Sequence, residues 1–60
     1  MKLTNNERSH MYRATAIFSD DSKSAEERFA QAQSLCMRFK KGEYMLTGAL
    51  QMYRAANPSA

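Results

Sequence analysis

From Phe29 onward an apolar residue recurs at every third or fourth position: Ala32, Cys36, Phe39, then Leu46, Leu50 and Tyr53, with only Glu43 out of character. That spacing is a helical stripe, and it keeps its phase across two segments separated at Gly42 and Glu43. No stretch shows the period-two alternation of a strand. The expected fold is therefore all-α. Three short helices, at about 5–18, 25–41 and 43–56, should form one helical domain over residues 1–60, frayed at 1–3 and 57–60.

The helix ends are set by polar residues. Thr4-Asn5-Asn6-Glu7 has the form of a capping box, in which the Thr4 hydroxyl accepts from the Glu7 backbone N–H and the Glu7 carboxylate reaches back to Thr4. The first helix should present His10, Met11, Ala14, Ile17 and Phe18 to the core, with Leu3 at its entrance. Asp20 and Asp21 then put acid where a helix C-terminus disfavours it. A second capping box is expected at Ser24-Ala25-Glu26-Glu27. The second helix follows, burying Phe29, Ala32, Leu35, Cys36 and Phe39.

Gly42 is expected to break the stripe into two helices, the alternative being one continuous rod to Tyr53 that Gly42 only kinks. Arg38, Lys40 and Lys41 should occupy the last turn of the second helix, where the dipole favours cations, and Gly42 its left-handed C′ position. No Ser or Thr caps the third helix, which should bury Met45, Leu46, Ala49, Leu50, Met52 and Tyr53. Asn57-Pro58 ends it.

Size makes the width of this stripe consequential. A chain of 60 residues hides only about 60% of the surface its unfolded form exposes, and small domains generally need a staple. One Cys and one His supply neither an internal disulfide nor a four-ligand zinc site. Association is the remaining way to complete the core, so a homodimer is expected. The candidate interface is Phe29, Cys36, Phe39, Met45, Leu46, Leu50 and Tyr53. A long parallel zipper fits poorly, because no pair of flanking positions carries opposite charges. A helical bundle formed by two copies fits better. Five methionines, among them Met11, Met37, Met45 and Met52, suit either adaptable core filling or a plastic binding surface.

Other chemistries have less support. Arg38, Lys40 and Lys41 form the one basic cluster, with a net charge of +3 and a pI near 9.4. They are candidate phosphate contacts, which makes non-specific nucleic-acid binding the alternative function. The start of the third helix offers Glu43, Tyr44 and Thr47 but no Arg, Lys, Gln or Asn to read base edges. An enzyme is not expected. His10 reads as a core-edge residue, Cys36 as a buried thiol, and neither Asp20-Asp21 nor Glu26-Glu27 as a placed acid/base pair. No cofactor and no metal ion are implied. With no secretory signal and no apolar run of about 18 residues, a cytoplasmic protein without a membrane partner is expected.

Taken whole, this short, capped, Met-rich helical chain with few glycines and no catalytic motif resembles the small helical accessory proteins of temperate, lambda-type bacteriophages. No single motif carries the resemblance, so no residue role transfers. It implies a conditional protein of the host cytoplasm that binds and redirects a host protein, often as a homodimer.

Overall fold

The computed structural model describes residues 2–58 and contains three helices: α1 (Asn5–Phe18), α2 (Ala25–Cys36) and α3 (Gly42–Ala56). No residue among those described is in a strand. The chain runs up, down and up. The ring of Phe18 at the end of α1 lies 6.3 Å from that of Phe29 near the start of α2, and 6.0 Å from that of Tyr53 near the end of α3. Both α2 and α3 lean on α1 and touch each other less extensively.

Local chemistry explains the first two helix starts. At Thr4 the capping box is complete: Glu7 N donates to Thr4 Oγ1 at 3.1 Å, and Thr4 N donates to Glu7 Oε1 at 2.7 Å. At Ser24 only half of the expected box forms. Glu27 N donates to Ser24 Oγ at 3.2 Å, but the Glu27 carboxylate meets the Ser24 hydroxyl at 3.3 Å rather than the backbone N–H. The α1 C-terminus has no cation of its own in its last turn. Arg28 supplies one from α2, donating from Nη1 to the Phe18 carbonyl at 3.0 Å, where the helix dipole favours positive charge.

The end of α2 departs from expectation. The helix stops at Cys36, not Lys41, so Arg38, Lys40 and Lys41 lie in a linker rather than a last turn. Two tight turns replace the expected helix: Phe39 N donates to Cys36 O at 3.1 Å and Gly42 N to Phe39 O at 3.0 Å. Gly42 is not a left-handed C′ residue either. Its φ is not positive, and it opens α3, one residue before the expected start. What it provides is closeness. A Cβ there would stand 2.5 Å from Cys36 O and 2.9 Å from Met37 Cα. The end of α2 and the start of α3 therefore cross backbone against backbone, and the early break follows from that crossing. As expected, no side chain caps α3.

Among the described residues the core consists of six enclosed apolar side chains: Ala14, Phe18, Ala32, Cys36, Met45 and Ala49. Each helix contributes one central alanine. Their level follows from the ring contacts, since Ala14 is four residues before Phe18, Ala32 three after Phe29, and Ala49 four before Tyr53. One buried alanine of each helix thus lies about one turn from the aromatic cluster. Leu3, Met11, Ile17, Leu35, Phe39, Leu46, Leu50 and Tyr53 pack around this centre and stay partly exposed.

The loose ends expected at 1–3 and 57–60 fall in part on Met1, Ser59 and Ala60, which lie outside the described residues. Within them, the Lys2 carbonyl accepts from Lys41 Nζ at 2.8 Å, and Asn57 Nδ2 donates to Tyr53 O at 2.9 Å.

The two glycines give opposite predictions. Gly42→Ala drives a methyl group into backbone, so urea unfolding should show a loss of about 1–3 kcal/mol. At Gly48 the methyl group would meet only the Sδ of Met11, the far end of a flexible side chain. Gly48→Ala should therefore be neutral or stabilising, up to the helix preference of about 0.5–1 kcal/mol.

Candidate protein-interaction site

The narrow α2–α3 contact leaves a cleft of about 240 Å³ at the end of the bundle where α2 begins and α3 finishes. Phe18 forms its floor, and Phe29 and Ala25 line one lip. Leu50 and Tyr53 line the other, with Arg28 and Arg54 at the margins. Phe29 is 42% exposed, although it begins the apolar stripe. The reason is packing geometry. With the helices in contact at alanines, residues on the flank of each stripe cannot reach the centre.

The structure separates the residues expected at an interface. Cys36 and Met45 have no exposed surface and belong to the core of the single chain. Leu46, Leu50, Tyr53 and Phe39 are half-buried and pack against that core, whereas Phe29 is exposed, with its ring beside that of the core residue Phe18. Phe39 is covered by its own first helix: the His10 ring meets it edge-on at 4.8 Å between centroids. His10 Nδ1 lies 2.8 Å from the Asn6 carbonyl, so that nitrogen is engaged within α1. Of the seven, Phe29, Phe39, Leu46, Leu50 and Tyr53 keep some exposed surface. Arg28 and Phe18 complete the cleft; the sequence places Phe18 in the core and gives Arg28 no role. The missing cation in the last turn of α1 was the one available sign of Arg28.

A second, larger hollow of about 400 Å³ lies between α1 and α3, lined by Leu3, Met11, Tyr44, Thr47, Gly48, Gln51 and Met52. The methionines divide accordingly. Met45 fills the core, Met11 and Met52 line this hollow, and Met37 is exposed on the linker.

The basic cluster is also divided. Arg38 and Lys40 are exposed, whereas Lys41 turns toward the N-terminus, its Nζ bonded to Lys2 O and 3.8 Å from Glu7 Oε1. Glu7 is the better enclosed of that pair, its side chain 14% exposed. The backbone N–H of Thr4, then the Thr4 hydroxyl and the charge of Lys41, hold its carboxyl below the usual glutamate range against the opposing effect of burial. Burial pushes the Cys36 thiol up, disfavouring the reactive thiolate.

Among the described residues, no three of His, Cys, Asp and Glu converge as metal ligands, and no helix is long and apolar enough to cross a membrane. No buried side-chain nitrogen or oxygen among them lacks a partner. No family model, curated protein or solved structure matches this chain.

Because the folded-state pKa of Glu7 is depressed, its stabilising contribution is full above the ordinary glutamate range and is lost as pH falls through the folded value. The stability gap between the native chain and Glu7→Gln should therefore shrink between about pH 7 and about pH 3 in urea titrations; a constant gap would contradict the brace. Cys36 should resist iodoacetamide in the folded protein and react in step with loss of helical signal in denaturant. Fast labelling at full helicity would show that α2 and α3 do not enclose it.

Proposed function

We propose that this chain is a non-enzymatic protein-interaction module that acts as a homodimer, with the α2–α3 cleft as its contact surface. The observation that carries this reading is the placement of Phe29, Leu50 and Tyr53. They are large apolar side chains gathered on one open cleft of a domain whose core holds three alanines among six residues. Aromatic residues around a desolvated pocket are the usual anchors of protein interfaces. The reactive groups support the same class of function, because the thiol is enclosed and the imidazole is packed on Phe39. The resemblance to phage accessory proteins extends the reading to a larger host protein as the target that the dimer binds and modulates.

Sedimentation equilibrium tests it. The native chain should show a concentration-dependent dimer. Phe29→Glu, at an exposed helical position, should keep its helical circular dichroism while association weakens at least about tenfold, or about 1.4 kcal/mol. Leu50→Glu should do the same at some further loss of stability. A native chain that stays monomeric to millimolar concentration would overturn the homodimer.

A further inference from the structure

We propose that the linker end of the bundle is a second contact surface, which takes a single strand of nucleic acid by laying its phosphates along Lys2, Arg38 and Lys40 and one unstacked base against Tyr44. It is the end opposite the α2–α3 cleft, and the contact does not require the dimer.

Charge is unevenly placed along the molecule. The start of α1, the end of α2 and the start of α3 share one end, since Lys41 Nζ bonds to Lys2 O and the His10 ring meets that of Phe39. Lys2, Arg8, Arg38, Lys40 and Lys41 gather there, with Glu7 and Glu43 the acids among them. The other four of the six acids, Asp20, Asp21, Glu26 and Glu27, lie at the far end with Lys23, Arg28 and Arg54. At that far end Lys23 and Arg28 face Asp20 and Asp21 at 3.7 and 3.9 Å. At the linker end Lys41 is engaged in the same way by Glu7. Arg38 and Lys40 are exposed, and neither side chain has a hydrogen bond or ion pair among the described residues. Because α2 stops at Cys36, both lie beyond its last turn, where the helix dipole does not account for them.

The surroundings of these cations narrow the partner. A hollow of about 380 Å³ opens beside them, with Met37, Lys40, Lys41, Glu43 and Tyr44 in its lining. Tyr44 is 46% and Met37 49% exposed. Cations beside an exposed aromatic ring are how single strands are held without sequence preference: the charge follows the backbone, and a base stacks on the ring. A duplex keeps its bases stacked inside and leaves such a ring unused, and the first turns of α3 carry no side chain suited to base edges. A bilayer surface is too broad to enter a hollow of this size. Glu43 opposes a phosphate within the hollow. It directs the backbone toward Lys2, Arg38 and Lys40 and leaves the hollow to the base.

Fluorescence anisotropy of a labelled oligothymidylate tests this surface. The native chain should bind, with affinity falling as salt rises at a logarithmic slope of about −2, as for three phosphate contacts on a single strand. Replacing both cations, Arg38→Gln with Lys40→Gln, should weaken binding at least about tenfold at about 0.1 M salt. Arg13→Gln removes a charge about 12 Å along α1 from Asn5. It should change binding less than about twofold at that salt, where the Debye length is about 10 Å. Tyr44→Leu should weaken binding about tenfold, whereas Tyr44→Phe keeps the ring and should not. Glu43→Gln should tighten it. All five positions are exposed, so the helical circular dichroism should stay native. No binding at low salt, or binding that survives the loss of Arg38 and Lys40, overturns the proposal. A duplex bound as tightly as the single strand, with Tyr44→Leu no weaker than native, also overturns it and makes the surface a duplex contact. Binding to phosphatidylserine vesicles or polyglutamate in place of the oligonucleotide overturns it as well, in favour of a membrane or an acidic protein.

Discussion

The fold depends on a small shared centre in which Ala14, Ala32 and Ala49, one from each helix, lie in the buried cluster with Phe18, Cys36 and Met45. One alanine from each helix, none with exposed surface, lets the three backbones approach closely. Close approach gives dense packing with few atoms, which suits a chain too short to enclose much. It also sets a limit. When helices are close at small residues, bulky side chains on the flanks of each stripe are left toward the margins. Phe18, the last residue of α1, is buried. Phe29, Leu50 and Tyr53 surround it without being enclosed. The open cleft is thus a consequence of the tight centre, not a separate defect in packing.

The same economy governs the α2–α3 connection. Ending α2 at Cys36 allows the backbone at Gly42 to pass over the Cys36 carbonyl, and it swings Phe39 against His10. The linker that results delivers Lys41 to the start of α1, where it holds the Lys2 carbonyl and neighbours Glu7. Both ends of α1 therefore receive charge from elsewhere in the chain, Lys41 at the N-terminal segment and Arg28 at the C-terminal carbonyl of Phe18. Each contact stitches the short first helix to a different neighbour. Capping, packing and electrostatics are shared among the same few residues.

How much of this the sequence discloses depends on the range of the interaction. α1 was legible to the residue, because Thr4 and Glu7 are local partners and the acidic run after Phe18 is a local stop. The start of α2 was legible for the same reason. Its end was not: Arg38, Lys40 and Lys41 favour helix and suit a C-terminus, and only the tertiary crossing at Gly42 overrides them. The glycine itself stood out, but its purpose was misread, since a left-handed turn and a close backbone approach leave the same mark in a sequence. In the candidate site, the stripe identified Phe29, Leu50 and Tyr53 but ranked them with Cys36 and Met45. Periodicity says which side of a helix is apolar, not which of its residues reach the centre. Lys41 on Lys2 and Arg28 on Phe18 join distant positions and left no periodic trace.

How much room the buried alanines leave at the centre decides why the cleft residues stay at the margin. Thermal and urea unfolding of Ala32→Leu measures this directly, because the added atoms have no room between α1 and α3. A tight centre predicts a loss of about 1–3 kcal/mol, the usual penalty for overpacking. A variant as stable as the native chain, or more stable, would show that the helices stand apart with space to fill. The residues at the cleft would then owe their exposure to something other than the alanines.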